Sequence, residues 1–127
     1  MKIEHFAFNV VDPVSIADWY CSHLGFSIKR KLETAPYTHF LADETGCVMI
    51  EIYNNPADDV PNYPDLHPLQ LHLAFVSHDP VQDAERLIAA GAEQVDDLLF
   101  DDGTHLKMLK DPWGFSIQLC KRASPMV

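Results

Sequence analysis

Four residues with metal-binding side chains occur as two pairs that repeat along the chain. His5 and Glu51 are 46 positions apart, and His72 and Gln118 repeat that interval 67 positions later. Imidazole nitrogens and side-chain oxygens bind divalent metals, and two histidines with one carboxylate form a usable ligand set. The spacing therefore predicts one metal site, in which the amide oxygen of Gln118 is a neutral, weaker ligand. The alternative is that all four are solvated or hydrogen-bonded groups on an open sheet face.

The repeat extends beyond these four positions. Residues 5–8 (HFAF) return as residues 72–75 (HLAF), and residues 12–14 (DPV) return as residues 79–81 (DPV). Solenoid repeats usually have periods of about 20 to 50 residues, and the period here is longer. The sequence therefore predicts two duplicated modules within one domain, 1–127. Module one is predicted at 1–53, a linker at 54–68 and module two at 69–122.

Hydrophobic periodicity and turn residues predict the order βαβββ in each module. In module one we expect strands at 2–10, 26–32, 37–42 and 47–53 and a helix at 14–24. In module two we expect strands at 69–76, 94–100, 104–110 and 115–121 and a helix at 81–90. The linker contains four prolines, so we predict no regular structure there. It would be a stiff connector or, alternatively, a lid over a site. Residues 101–103 and 111–114 are predicted as turns.

Alternation within the strands separates two faces in each module. One face is apolar and would be covered by the helix; its predicted members are Phe6, Phe8, Ile50, Ile52, Leu73, Phe75, Ile117 and Leu119. The opposite face mixes small, polar and metal-binding groups, which suits a cavity. Its predicted members are His5, Ala7, Met49, Glu51, Tyr53, His72, Ala74, Ser116, Gln118 and Cys120. His39 and His105 lie in neighbouring strands and are weaker candidates for substrate binding.

Composition limits the classes of partner. The chain has 127 residues, 47% of them hydrophobic, and a formal net charge of −10, which disfavours nucleic acid. It has no apolar run near 18 residues and no export leader, so we expect a cytoplasmic protein that does not bind membranes. Three cysteines without a CxxC pair fit a reducing compartment and do not suggest a thiolate cluster.

These features resemble the vicinal oxygen chelate superfamily, which includes glyoxalase I, bleomycin-resistance proteins and extradiol dioxygenases. The carriers are the duplicated βαβββ pattern, the paired histidines, Leu24-Gly25-Phe26 and the segment 111–114 (DPWG). The resemblance implies an α+β fold in which two modules form an incomplete barrel around a cavity. It also implies a homodimer and metal ligands from the first and fourth strands, which here are His5, Glu51, His72 and Gln118. In some members the site is shared between subunits, so the two modules of one chain would pair either with each other or with modules of a second chain.

The resemblance implies a metal-dependent enzyme of lyase or isomerase type, acting on a small substrate that binds the metal through adjacent oxygens. Zinc, nickel, manganese or iron would each suit such a site. Many members have glutamate where this chain has Gln118, so Glu51 is the only carboxylate left to serve as catalytic base. A dedicated cluster for glutathione is not evident, although Arg30, Lys107 and Arg122 are candidates by charge.

Two other functions remain open at this point. A ferrous dioxygenase would use the same two histidines and one carboxylate, but extradiol enzymes usually have four modules. A sequestering protein of the bleomycin-resistance type would bind its ligand without turnover. Such binding would use aromatic residues, for which Trp19, Tyr37, Tyr53 and Tyr63 are candidates. A pure binder does not need His5, Glu51 and His72 together, so the enzyme is favoured.

Overall fold

The computed structural model describes residues 1–126, which form two compact units. The first unit spans Met1–Pro61 and the second begins at Asn62. Each unit contains one α-helix and one four-stranded sheet, in the order strand, helix and three strands. The predicted α+β class and the duplicated βαβββ modules are confirmed.

Most bounds agree with the predictions within two residues, but β1 and β5 begin four residues later than predicted, so His5 and His72 precede the strands that were predicted to contain them. The first unit contains β1 (Phe6–Asn9), α1 (Pro13–His23), β2 (Ser27–Lys31), β3 (His39–Ala42) and β4 (Met49–Tyr53). The second contains β5 (Leu73–Val76), α2 (Pro80–Ala89), β6 (Glu93–Leu99), β7 (His105–Lys110) and β8 (Ser116–Lys121). The strand orders are β1-β4-β3-β2 and β5-β8-β7-β6. Neither helix of the described chain is long and apolar enough to cross a membrane.

Both helices begin with the same aspartate-proline pair. The side chain of Asp12 accepts a hydrogen bond from the backbone N–H of Ser15 at 3.1 Å, and Asp79 accepts from Gln82 at 3.1 Å. An N-terminal aspartate satisfies backbone N–H groups that have no partner within the helix, and proline suits the first helical position because it has no N–H. The repeated pair thus fixes where each helix starts relative to the preceding strand.

The core of each unit lies between its helix and one face of its sheet. In the first unit Ile50 and Ile52 are buried, and in the second Leu109 and Ile117 are fully buried. The prediction that Phe6 belongs to this core was wrong, because its side chain is 46% exposed. Helix α1 packs on β2, β3 and β4, whereas Phe6 lies at the start of the edge strand β1.

The segment 54–68 is fastened at both ends. Asn9 donates through Nδ2 to the carbonyls of Asn55 and Asp58, each at 3.0 Å, within the first unit. In the second unit Tyr63 is buried against Phe115, with ring centroids 5.1 Å apart. The prediction of no regular structure was wrong at residues 63–65, which form a 3-10 turn.

The side chain of Lys110, on strand β7 of the second unit, stabilises this 3-10 turn. The ammonium group of Lys110 donates to the carbonyls of Tyr63 and Leu66 at 3.2 Å each, and also to that of Pro64. Carbonyls at the end of a helical turn have no intrahelical donor, and a lysine is a favourable partner for them. The second half of the linker is therefore part of the second unit.

Candidate functional site

The duplicated register places the two predicted oxygen donors at equivalent positions. In the first sheet Ala7 on β1 pairs with Glu51 on the parallel strand β4. In the second sheet Ala74 on β5 pairs with Gln118 on the parallel strand β8. His5 and His72 each lie two residues before the paired alanine, immediately before the first strand of their unit. Both histidines lie outside the strands, so the contacts of each ring, rather than alternation along a strand, decide where it points.

In the first unit the structure brings His5 and Glu51 together. The Nε2 atom of His5 lies 3.1 Å from Oε2 of Glu51, and their side chains are 32% and 18% exposed. The other ring nitrogen, Nδ1, contacts the carboxylate of Glu4. An ionised carboxylate accepts hydrogen bonds only, so Nδ1 is the donor in that contact.

Either a proton or a metal ion can lie between His5 and Glu51. With the proton on Nδ1, a neutral imidazole presents a lone pair at Nε2, and the facing oxygen of Glu51 also presents a lone pair. Two lone pairs at hydrogen-bonding distance repel each other unless a proton or a metal ion lies between them. The donor set of this pair therefore suits a divalent metal, which would replace that proton.

In the second unit the orientation of His72 is set by the linker. Its Nδ1 atom lies 2.9 Å from the carbonyl oxygen of Pro68, which can only accept. The proton is thus assigned to Nδ1, and Nε2 carries the lone pair. A metal-binding histidine commonly donates its second ring N–H to a carbonyl or carboxylate, which fixes the tautomer and the ring. His72 has this feature, as His5 does through Glu4.

The oxygen donor of the second unit is held by a cysteine. The thiol of Cys120 donates to Oε1 of Gln118 at 3.2 Å. Burial raises the pKa of the Cys120 thiol, and the nearby charge of Arg122 opposes that rise. The neutral thiol is therefore the form that donates to Gln118. The amide oxygen retains a second lone pair with which it could bind a metal.

Each unit thus offers one nitrogen and one oxygen donor. Among residues 1–126, no group of three or more histidine, cysteine, aspartate or glutamate side chains is arranged to hold a metal. The assembly of all four predicted ligands around one ion remains a prediction.

Two other predicted candidates are engaged in contacts of their own. The Nδ1 atom of the buried His39 lies 2.7 Å from the carbonyl of Tyr37. His105 lies 2.6 Å from one carboxylate oxygen of Asp97, and Lys107 contacts the other. Lys107 and then His105 hold the pKa of Asp97 below its usual value. These contacts account for His105 and Lys107 as parts of an ion-pair network that joins β6 to β7.

Sequence reasoning missed the groups that orient the two histidines. The adjacency of Glu4 and His5 was a visible signal, but neighbouring side chains in an extended strand normally point to opposite faces. Residues 4 and 5 precede β1, so that rule does not apply to them. The role of the Pro68 carbonyl was not predictable, because every residue has a backbone carbonyl and the sequence does not distinguish one from another.

Comparison with known proteins decides the family. The model of the Glyoxalase/Bleomycin resistance protein/Dioxygenase superfamily matches residues 2–119. The chain belongs to this superfamily. Enzymes such as glyoxalase I and dioxygenases are among the members of the superfamily, and divalent metals are common in it. No curated protein matches the sequence of this chain.

Solved structures of the superfamily have the same fold. A glyoxalase family protein from Enterococcus faecalis is 25% identical, with a TM-score of 0.70 and coverage of 94% of this chain and 97% of that one. A glyoxalase family protein from Bacillus cereus is 14% identical, with a TM-score of 0.78 and coverage of 94% and 93%. A glyoxalase I mutant from Zea mays is 22% identical, with a TM-score of 0.71, and this chain covers 45% of it.

Proposed function

We propose that the protein is a metal-dependent lyase or isomerase that acts on a small substrate with two adjacent oxygens. The observation that carries this proposal is the contact between Nε2 of His5 and Oε2 of Glu51 at 3.1 Å, which brings a nitrogen and an oxygen donor to a distance that a proton or a metal ion can bridge. The duplicated pair, His72 and Gln118, would complete the ligand set of one zinc, nickel, manganese or iron ion. Superfamily membership supports the same conclusion.

A divalent ion held by these residues would supply a Lewis acid that stabilises an enolate or oxyanion on the substrate. The protein's own residues then have distinct tasks. Glu4 and the carbonyl of Pro68 hold the two imidazoles in the tautomer that binds a metal through Nε2. Gln118 would contribute a neutral oxygen, so the site carries one negative charge fewer than a set with two glutamates.

Proton transfer would depend on Glu51. It is the only carboxylate among the four proposed ligands, and 18% of its side chain is exposed, so a substrate can approach it. One base can remove a proton from a carbon and return it to the neighbouring carbon, as a one-base isomerisation requires. Glu51 would have to leave the metal to do so, or bind it through one oxygen while the other accepts the proton.

Deuterium incorporation tests this function without knowledge of the natural substrate. Hydroxyacetone has two adjacent oxygens and exchangeable C–H groups, and NMR follows exchange of those protons in D2O. We expect the metal-loaded protein to accelerate exchange, Glu51→Gln to lose the acceleration, and Glu44→Gln, an exposed control in the same unit, to retain it. Acceleration that survives in Glu51→Gln at equal metal content would contradict the role of Glu51. Its absence in the metal-loaded wild type would contradict the proposed reaction.

We also propose that the protein is a cytoplasmic homodimer that binds small molecules and neither nucleic acid nor membranes. The net charge of −10 supports the exclusion of nucleic acid.

A further inference from the structure

The second unit contains a cavity of about 280 Å3 at the ends of β5 and β8. It is lined by residues 74–78, by residues 120–122 and by residues 125–126 of the tail that follows β8. The walls at Ala74, Val76 and Cys120 are apolar or weakly polar. All the residues of this lining belong to one unit, so the cavity is complete within it.

Among the described residues, the charged side chains of the lining have a single sign. It contains Lys121 and Arg122 together with the imidazole of His78, and it contains no aspartate or glutamate. Within residues 1–126, neither Lys121 nor Arg122 forms an ion pair with a carboxylate. On an acidic chain with nine basic residues and nineteen acidic ones, such a locally basic cavity favours an anionic ligand.

We propose that this cavity binds a small organic acid with an apolar chain, and that Arg122 pairs with its carboxylate. A guanidinium group matches a carboxylate through two parallel hydrogen bonds, which a lysine cannot form. Arg122 directly follows β8 and lines the cavity together with Cys120, and the charge of Arg122 acts on the Cys120 thiol. The apolar walls suit the hydrocarbon chain.

The position of the cavity suggests how such an acid would enter the reaction. Cys120 lines the cavity and donates its thiol hydrogen bond to Gln118, so the cavity adjoins one of the proposed metal ligands. An acid anchored at Arg122 would extend its chain towards Gln118. The assignment of the acid as substrate rests on the proposed function, whereas the binding of a carboxylate in the cavity does not.

NMR titration of the 15N-labelled full chain tests the binding separately from any metal chemistry. The probes are hexanoate, the uncharged hexanamide and butyl phosphate. None of them carries oxygen atoms on two neighbouring carbon atoms. Each is titrated into the protein as purified and after EDTA treatment. The variant is Arg122→Gln, and the matched control is Arg30→Gln, which removes an exposed arginine of β2 in the other unit.

We expect hexanoate to shift the amide signals of residues 74–78 and 120–122, with and without EDTA. Its Kd should rise at least about fivefold in Arg122→Gln, as the loss of a charged hydrogen bond predicts, and stay unchanged in Arg30→Gln. Equal binding of hexanamide, an unchanged Kd in Arg122→Gln or shifts confined to other residues would overturn the proposal. Tighter binding of butyl phosphate would overturn the choice of a carboxylate. Binding that persists in EDTA supports the cavity even if the metal-dependent reaction fails.

Discussion

Gln118 occupies in the second sheet the position that Glu51 occupies in the first. Each lies on the last strand of its unit and pairs with an alanine of the parallel first strand, Ala74 for Gln118 and Ala7 for Glu51. The strand pairing is the same in the two sheets, but Glu51 carries a negative charge and Gln118 is neutral. The two halves of the proposed metal site therefore differ mainly by one carboxylate.

Restoring that carboxylate should strengthen metal binding. A carboxylate adds Coulomb attraction and a better oxygen donor, so Gln118→Glu should bind Zn2+ at least about tenfold more tightly, or roughly 1.4 kcal/mol. Isothermal titration calorimetry measures this change. Gln94→Glu adds the same charge on the exposed strand β6 and should leave the affinity unchanged. Equal affinities of wild type and Gln118→Glu would show that residue 118 is not a ligand.

The linker lies close to the turn before β8, at Pro64 and Gly114. Gly114 has φ +86°, and a Cβ at this position would lie 2.5 Å from Cγ of Pro64 and 2.7 Å from its backbone nitrogen. Gly103 has a similar φ of +87° and open space around it. Gly103→Ala should cost about 1 kcal/mol of unfolding free energy through the left-handed backbone alone.

Gly114→Ala should cost at least about 2 kcal/mol more than Gly103→Ala, because the backbone of Pro64 must also move. Urea unfolding of the two variants measures the difference. Equal losses would mean that the linker does not rest against Gly114 in solution.

Acid should weaken the ion-pair network between β6 and β7. Lys107 and His105 lower the pKa of Asp97 in the folded state, so the ionised form of Asp97 stabilises the fold. This contribution is fully present above the pKa of an aspartate in the unfolded chain, which is about 3.9. That contribution is lost as the pH falls through the lower, folded pKa. Asp97→Asn should therefore cost about 1 kcal/mol at neutral pH, a value reduced for the exposure of Asp97.

The measurement is the unfolding free energy of Asp97→Asn and wild type between pH 7 and pH 2. Below about pH 4 the gap should shrink as the pH falls. Glu93→Gln, an exposed change on the same strand, should show no such gap. A gap that grows as the pH falls below about 4 would contradict the sign of the shift.

The repeat made most of the fold predictable. Paired turns and alternating strands located both helices and all eight strands, because each local signal occurred twice at one interval. The exposure of Phe6 was not predictable, since alternation assigns a face but not whether a helix covers that end of the sheet. The placement of His5 beside Glu51 followed from strand pairing. The roles of Glu4 and Pro68 depended on residues just outside the strands, where periodicity carries no information.

The central claim is that the duplicated histidines and their oxygen partners bind one metal ion. Elemental analysis of protein purified without a histidine tag or chelator, beside His72→Ala, tests it most directly. His78→Ala, which removes an exposed histidine of the same unit, is the control. We predict about one zinc, nickel, manganese or iron per site in wild type and in the control, and its loss in His72→Ala. Equal metal content in wild type and His72→Ala, or no metal uptake by wild type on titration, would contradict the account.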